Sequence, residues 1–239
     1  MLAAGKRFKI SVIDDMKIDR AGFPFILSAL LPAVSLMALR RPEWALPLAV
    51  LAGCFAFFFR DPNREIPADT NDPHMVLATA DGRIMHVGPA EQNAAPEGAW
   101  TQISIFLSPL NVHVNRTPVS GRVLQVDYRP GRFLPAYRHE AATDNERSEI
   151  RIDHQGQTVI CRQVVGLLAR RVVCRLVSGM DVTQGQRLGV MKFGSRMDVF
   201  LPTDSAVYVA IGEMVRGGET IIARLQPSLE PAIKPNETT

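Results

Sequence analysis

Cysteine is scarce. Cys54, Cys161 and Cys174 are the whole complement of this 239-residue chain. The count is odd and no CxxC spacing occurs. That excludes a disulfide framework and leaves free thiols suited to a reducing compartment. A large excess of one charge is missing as well. The net charge is +3, too slight for a nucleic-acid partner, although it suits an anionic membrane surface. No cluster of histidine, cysteine and carboxylate has metal-ligand spacing, so no metal is expected. No A-x-A-like cleavage site follows the first apolar run, which argues against a cleaved signal peptide. With 46% hydrophobic and 21% charged residues, the chain is neither disordered nor a simple polytopic membrane protein. Its length suits one generous domain or two small ones.

Two long apolar runs are present instead. Residues 21–39 read AGFPFILSALLPAVSLMAL and residues 44–59 read WALPLAVLAGCFAFFF, both without charge. A helix needs about 20 apolar residues to cross a bilayer. The first run nearly reaches that length and the second falls a little short. They predict a membrane-anchoring helical hairpin over 21–59, preceded by a cytoplasmic segment over 1–20. The hairpin either spans the bilayer or dips into one leaflet, and Pro24, Pro32 and Pro47 favour kinked helices. A buried hairpin in a soluble core is the plainer alternative. Lys6, Arg7, Lys9, Lys17 and Arg20 precede the runs, Arg60 and Arg64 follow them, and only Arg40 and Arg41 lie between. This distribution puts both flanks, and so residues 60–239, on the cytoplasmic face of the cell membrane.

After Arg60-Asp61-Pro62 the texture changes to short β-branched segments separated by glycine and proline. Strands are expected over 76–80, 101–107, 122–128, 148–154, 158–164, 171–177, 187–193, 197–201, 206–210 and 220–223, with 167–171 ambiguous. The fold class is mainly β: a hybrid-barrel or sandwich-like body behind the apolar hairpin. A glycine, a few residues and a second glycine heading a strand recur around Gly121 and Gly131, Gly179 and Gly185, and Gly212 and Gly218. This turn grammar resembles that of biotinyl- and lipoyl-type hybrid barrels, with each glycine expected to serve a turn that demands positive φ.

The chemistry is concentrated in Val190-Met191-Lys192-Phe193-Gly194-Ser195-Arg196-Met197-Asp198. Gly-Ser is a common turn dipeptide. It is also a bond that its own hydroxyl can attack, because glycine leaves the carbonyl uncovered and serine becomes a nucleophile once a base takes its proton. Three further signals accompany it: Ala78-Thr79-Ala80-Asp81-Gly82-Arg83-Ile84, the stretch from Phe106-Leu107-Ser108-Pro109 through Asn111-Val112-His113-Val114-Asn115-Arg116, and Asp144-Asn145-Glu146-Arg147. Together with Phe58-Phe59-Arg60-Asp61-Pro62, they resemble the phosphatidylserine decarboxylase proenzymes of the short, membrane-anchored type, over roughly residues 55–224.

The resemblance implies self-cleavage between Gly194 and Ser195. The large chain (1–194) and small chain (195–239) would stay together as a heterodimer, with a pyruvoyl cofactor made from Ser195. That group would form a Schiff base with membrane phosphatidylserine, release CO2 and yield phosphatidylethanolamine. His113 is implied in proton transfer and Asp81 in orienting the base. Long members of the family carry a second histidine three residues after the first, where this chain has Arg116. Either His113 serves both steps, or Asp81 acts more directly, or water assists; the expectation is that His113 does both. Arg116 and Arg196 are candidates to meet an anionic headgroup. A rival reading places Lys192 at a hairpin like that of a biotin-accepting Met-Lys turn, which would make the chain a membrane-tethered carrier or adaptor.

Overall fold

The computed structural model describes residues 16–67, 72–91, 95–138, 140–167, 172–192 and 194–227. Lys6, Arg7, Lys9, His139, Phe193 and most of the ambiguous stretch 167–171 lie outside them. The chain divides into two compact units, Met1–Arg64 and Glu65–Thr239.

In the first unit a short strand β1 (Met16–Ile18) leads into helix α1 (Phe23–Ala38). Helix α2 (Pro42–Phe58) returns, and β2 (Arg60–Pro62) pairs antiparallel with β1. Uncharged runs with proline confined to the first turn or tolerated inside read as helices, and they are. Small residues line the helix pair: Ala29, Ala33, Ala45 and Ala52 are buried, whereas Leu27, Leu31, Val34, Trp44, Leu46 and Val50 face outward. Close approach through small side chains with large ones outside is the arrangement of helices packed in lipid. Phe25 stacks on Phe59 at 5.3 Å and meets Phe55 edge-on at 5.7 Å. The helix over Arg20–Ala38 is 19 residues long and apolar enough to cross a membrane; Pro42–Phe58 is apolar but shorter. The β1–β2 pair brings entry and exit side by side, so both flanks of the hairpin meet on one side.

The second unit is almost entirely β, as expected. Its strands are β3 (Met75–Leu77), β4 (Gly82–Pro89), β5 (Thr101–Leu107), β6 (Val114–Arg116), β7 (Gly121–Arg129), β8 (Arg147–His154), β9 (Gln157–Val165), β10 (Val172–Cys174), β11 (Asp181–Val182), β12 (Arg187–Met191), β13 (Ser195–Leu201), β14 (Ala206–Val207), β15 (Met214–Val215) and β16 (Ile221–Arg224). One short helix, α3 (Ala141–Asp144), precedes β8. An eight-stranded sheet has the order β11-β7-β8-β9-β13-β5-β4-β15, and two three-stranded sheets have the orders β10-β12-β6 and β14-β16-β3. Every strand pairing in them is antiparallel.

Alternation explains the core. Ile103, Ile105 and Leu107 of β5, Met197, Val199 and Leu201 of β13, and Ile150 and Ile152 of β8 point into one apolar cluster. Burying such residues contributes about 1.5–3 kcal/mol each. The repeated glycines divide into two kinds. Gly179, Gly185, Gly212 and Gly218 take positive φ as expected. Gly131 does not, and its requirement is space, because a Cβ there would overlap the Asp144 carbonyl.

Candidate active site

Strand β12 ends at Met191 and β13 begins at Ser195, but the two strands belong to different sheets. The connection 192–194 carries the chain from one sheet to the other. Lys192 is therefore not at the tip of a hairpin, and the carrier reading loses its geometric basis. The passage demands an unusual backbone, and Gly194 supplies it with φ +74°. Ser195, the first residue of β13, pairs with Leu107 of β5 on one side and Val165 of β9 on the other. Its side chain is fully buried, and its Oγ has no hydrogen-bond partner. A buried hydroxyl without a partner is costly.

The carbonyl of Gly194 lies against Gly166, the residue after β9. A Cβ at residue 166 would overlap the Gly194 oxygen, so only glycine leaves room for that carbonyl. Composition gives no hint of Gly166, because the requirement comes from a neighbouring strand.

His113 completes the approach from β6. Its backbone oxygen accepts from the Met191 N–H at 3.2 Å, which continues the β6–β12 pairing toward the Gly-Ser linkage. The ring is fully buried. Nδ1 lies 2.9 Å from the Asn111 carbonyl. A carbonyl can only accept, so Nδ1 carries the proton and Nε2 the lone pair. Nε2 in turn accepts from the Gly194 N–H at 3.4 Å. The orienting carbonyl is fixed by a local turn: Asn111 Oδ1 accepts from the Ser108 N–H at 2.8 Å, and the Asn111 N–H donates to the Ser108 carbonyl at 3.0 Å. The Ser-Pro-Leu-Asn stretch thus sets the imidazole tautomer.

Asp81 sits in the turn before β4, where its Oδ1 accepts from the Gly217 N–H at 2.9 Å. The register Arg83 with Phe106, and that of Ser195 with Leu107, extended to the strand ends, set both Asp81 and Gly194 opposite Ser108. Their backbones are then two strand spacings, roughly 10 Å, apart.

Arg116 and Arg196 both lie inside the protein. Arg196 is fully buried on the opposite face of β13 from Met197, where Nε donates to Asp198 at 2.6 Å and Nη2 to Glu91 and to Ser104 Oγ, each at 3.1 Å. Burial works against its charge, but Asp198 and Glu91 more than offset this and hold the guanidinium firmly protonated. Arg116 is buried as well and donates to the Gly185 carbonyl at 3.0 Å. Both guanidiniums are engaged inside the protein.

A cavity of about 220 Å3 opens beside Gly194, lined by Phe106, Pro109, Pro135, Ala136, Tyr137 and Leu167. Its wall is pinned by Asn145. The buried Asn145 amide donates to the Leu134 and Val165 carbonyls at 2.7 and 2.8 Å, and its oxygen accepts from the Leu134 N–H at 2.9 Å. Glu146 accepts from the Val172 N–H at 3.1 Å. No group of three or more metal-ligating side chains occurs among the described residues.

The sequence model of the phosphatidylserine decarboxylase family matches residues 51–223. This chain belongs to that family. It is 42% identical over 210 residues to the phosphatidylserine decarboxylase proenzyme of Solibacter usitatus, covering 87% of this chain and 97% of that protein. It is 46% identical over 180 residues to the proenzyme of Chlorobaculum parvum, covering 74% of this chain and 82% of that one. The proenzyme of Pelodictyon phaeoclathratiforme is 44% identical over 197 residues, covering 80% and 91%. Membership makes the chain an enzyme of a decarboxylase family, and the match takes in His113, Gly166, Gly194 and Ser195 alike.

Proposed function

We propose that this chain is a self-processing, pyruvoyl-dependent decarboxylase that converts phosphatidylserine to phosphatidylethanolamine and CO2. It would be tethered by its apolar hairpin to the cell membrane, with the β body on the cytoplasmic side. Family membership supports the decarboxylase. The observation that carries the self-processing is the Gly194–Ser195 linkage: a left-handed glycine, a buried hydroxyl with no partner, and an imidazole lone pair 3.4 Å from the same backbone.

In this reading His113 Nε2 removes the Ser195 hydroxyl proton, and Oγ attacks the Gly194 carbonyl carbon. The peptide C–N bond breaks, the nitrogen takes up the proton, and an ester joins Gly194 to Ser195. Loss of the Ser195 Cα proton then expels the Gly194 carboxylate and leaves a dehydroalanine. Water hydrolyses its imine tautomer, releasing ammonia and leaving the ketone at the head of chain 195–239. Asp81 assists by orienting the base. A pyruvoyl group fits this position because Ser195, whose carbons it would keep, is buried next to Gly194 at the cavity, and its hydroxyl, which must leave, is held by no other group. Once formed, it supplies the electron sink that loss of CO2 from an amino acid requires. His113 is then the group at hand to hold or deliver a proton.

Intact mass of the denatured protein tests this directly. Two chains are expected, 1–194 and 195–239, with the small one blocked at its N-terminus and reactive toward hydrazines. Ser195→Ala should remain whole and folded. His113→Ala should accumulate uncut chain. A well-folded wild-type protein that stays uncut would overturn the proposal, and full splitting of His113→Ala would remove His113 from the cleavage step.

A further inference from the structure

The cavity at Gly194 has an exposed apolar rim on its outer side. Leu110 follows the lining residue Pro109 and is 73% exposed; Tyr137 and Leu167, at the cavity itself, are each 61% exposed; Phe133 is 37% exposed. Large side chains displayed around a pocket mouth mark an interaction surface more often than chance exposure does. They are not on a slack loop. Leu134, between Phe133 and the turn, is fixed at both its N–H and its carbonyl by Asn145. The Arg138 N–H closes a turn on the Pro135 carbonyl at 3.0 Å, with Tyr137 at its crest. Tyr137 also rests edge-on against Phe106 at 6.3 Å. Two exposed cations flank this turn: Arg138, and Arg132, whose Nη1 lies 3.7 Å from the Asp144 carboxylate in a solvent-exposed pair that a charged surface can compete for. An aromatic crest, aliphatic neighbours and flanking arginines match the composition that seats a protein at a membrane interface, where each cation near an anionic surface adds about 1 kcal/mol.

We infer that the stretch from Gly131 to Arg138, together with Leu110 and Leu167, docks onto an anionic phospholipid bilayer and brings the Gly194 cavity down onto the lipid headgroups. This attachment is separate from the helical hairpin: the hairpin keeps the enzyme on the membrane, whereas the rim presents the cavity to it. The charge of the occupant follows from Arg132 and Arg138, and its apolar depth from the side chains that surround the cavity. The inference rests on the lipid substrate proposed above, and its test separates the two.

The first measurement needs no turnover. Bimane is attached at Leu110→Cys, and separately at the exposed Asp204→Cys beyond the far end of β13, in full-length Cys54→Ala, Cys174→Ala protein. Each is reconstituted into phosphatidylserine-containing vesicles with nitroxide-labelled lipid. Quenching at 110 and not at 204 is expected; no quenching at 110, or equal quenching at both, overturns the docking surface. The second measurement uses Phe133→Asp combined with Arg138→Glu, neither of which lines the cavity or belongs to the turn that orients His113. Its kcat/KM on phosphatidylserine in vesicles should fall about tenfold, with unchanged turnover of a short-chain monomeric phosphatidylserine. Equal losses on both substrates, or no loss on vesicles, refute the inference. A wild-type enzyme that releases CO2 from neither substrate sinks the proposed function instead, and the quenching still decides the docking.

Discussion

Replacing Gly166 by alanine tests whether the carbonyl to be attacked is held by its neighbour strand. The new methyl would overlap the Gly194 oxygen. Restoring van der Waals separation requires that oxygen or strand β9 to retreat by about 1 Å. Overpacking of this sort typically costs about 1–3 kcal/mol of stability. Its effect on the reaction should be larger, since a misplacement of about 1 Å at a reacting group costs on the order of 100-fold in rate. Gly189→Ala provides the matched control: its methyl would overlap the Val173 carbonyl, the same kind of clash on the β12–β10 pair away from the scissile oxygen. Freshly translated chains would be followed by denaturing gel for conversion to two fragments, with thermal unfolding measured in parallel. Gly166→Ala should convert roughly 100-fold more slowly, whereas Gly189→Ala should be destabilised to a similar degree and convert near the normal rate. If Gly166→Ala splits as fast as the wild type, or if both variants slow alike, the hold on the Gly194 carbonyl is not what prepares it.

Three other perturbations probe the same geometry. Asn145→Ala leaves the Leu134 N–H and the Leu134 and Val165 carbonyls without their partner, which should cost about 3 kcal/mol in urea unfolding; Asn145→Asp should do no better, because a carboxylate cannot donate to two carbonyls. Arg196→Met takes the partner of Asp198 away in the interior and one contact from half-buried Glu91, a loss of about 3–5 kcal/mol, with Arg196→Lys recovering part of it if charge pairing is the cause. Burial pushes the Cys161 and Cys174 thiols up, so iodoacetamide at neutral pH should label exposed Cys54 in detergent and reach Cys161 only after denaturant is added; rapid labelling of Cys161 in the native protein would contradict the packing of β9.

The sequence carries the parts of this structure whose causes are local. The strand expected over 101–107 is found at Thr101–Leu107, and the one expected over 197–201 at Ser195–Leu201, because alternation of β-branched residues needs no knowledge of neighbours. The two uncharged runs form both helices for the same reason. His113 and the Gly-Ser linkage are legible through motif. Arg196 reads as a contact for solvent or ligand because arginine is seldom interior. Asp198, two residues along the same face of β13, is a readable hint of its pairing, whereas Glu91 is 105 residues away in sequence. Gly166 and Asn145 act across strands that only the folded sheet brings together, and Asn111 acts through a backbone carbonyl that any residue possesses.

Strand β13 lies inside the eight-stranded sheet. All seven of its residues pair with β5, and all but the last pair also with β9, so opening the 194–195 linkage frees an end without freeing a strand. After the proposed cleavage the small chain would stay zipped through the middle of the large one, with no separate assembly step. The same arrangement would make the proposed cleavage irreversible in a second sense. An intact precursor can lose its fold and regain it, but a severed one that melts releases its central strand into solution. Refolding then becomes a bimolecular search by a fragment whose own sequence holds only a corner of the core.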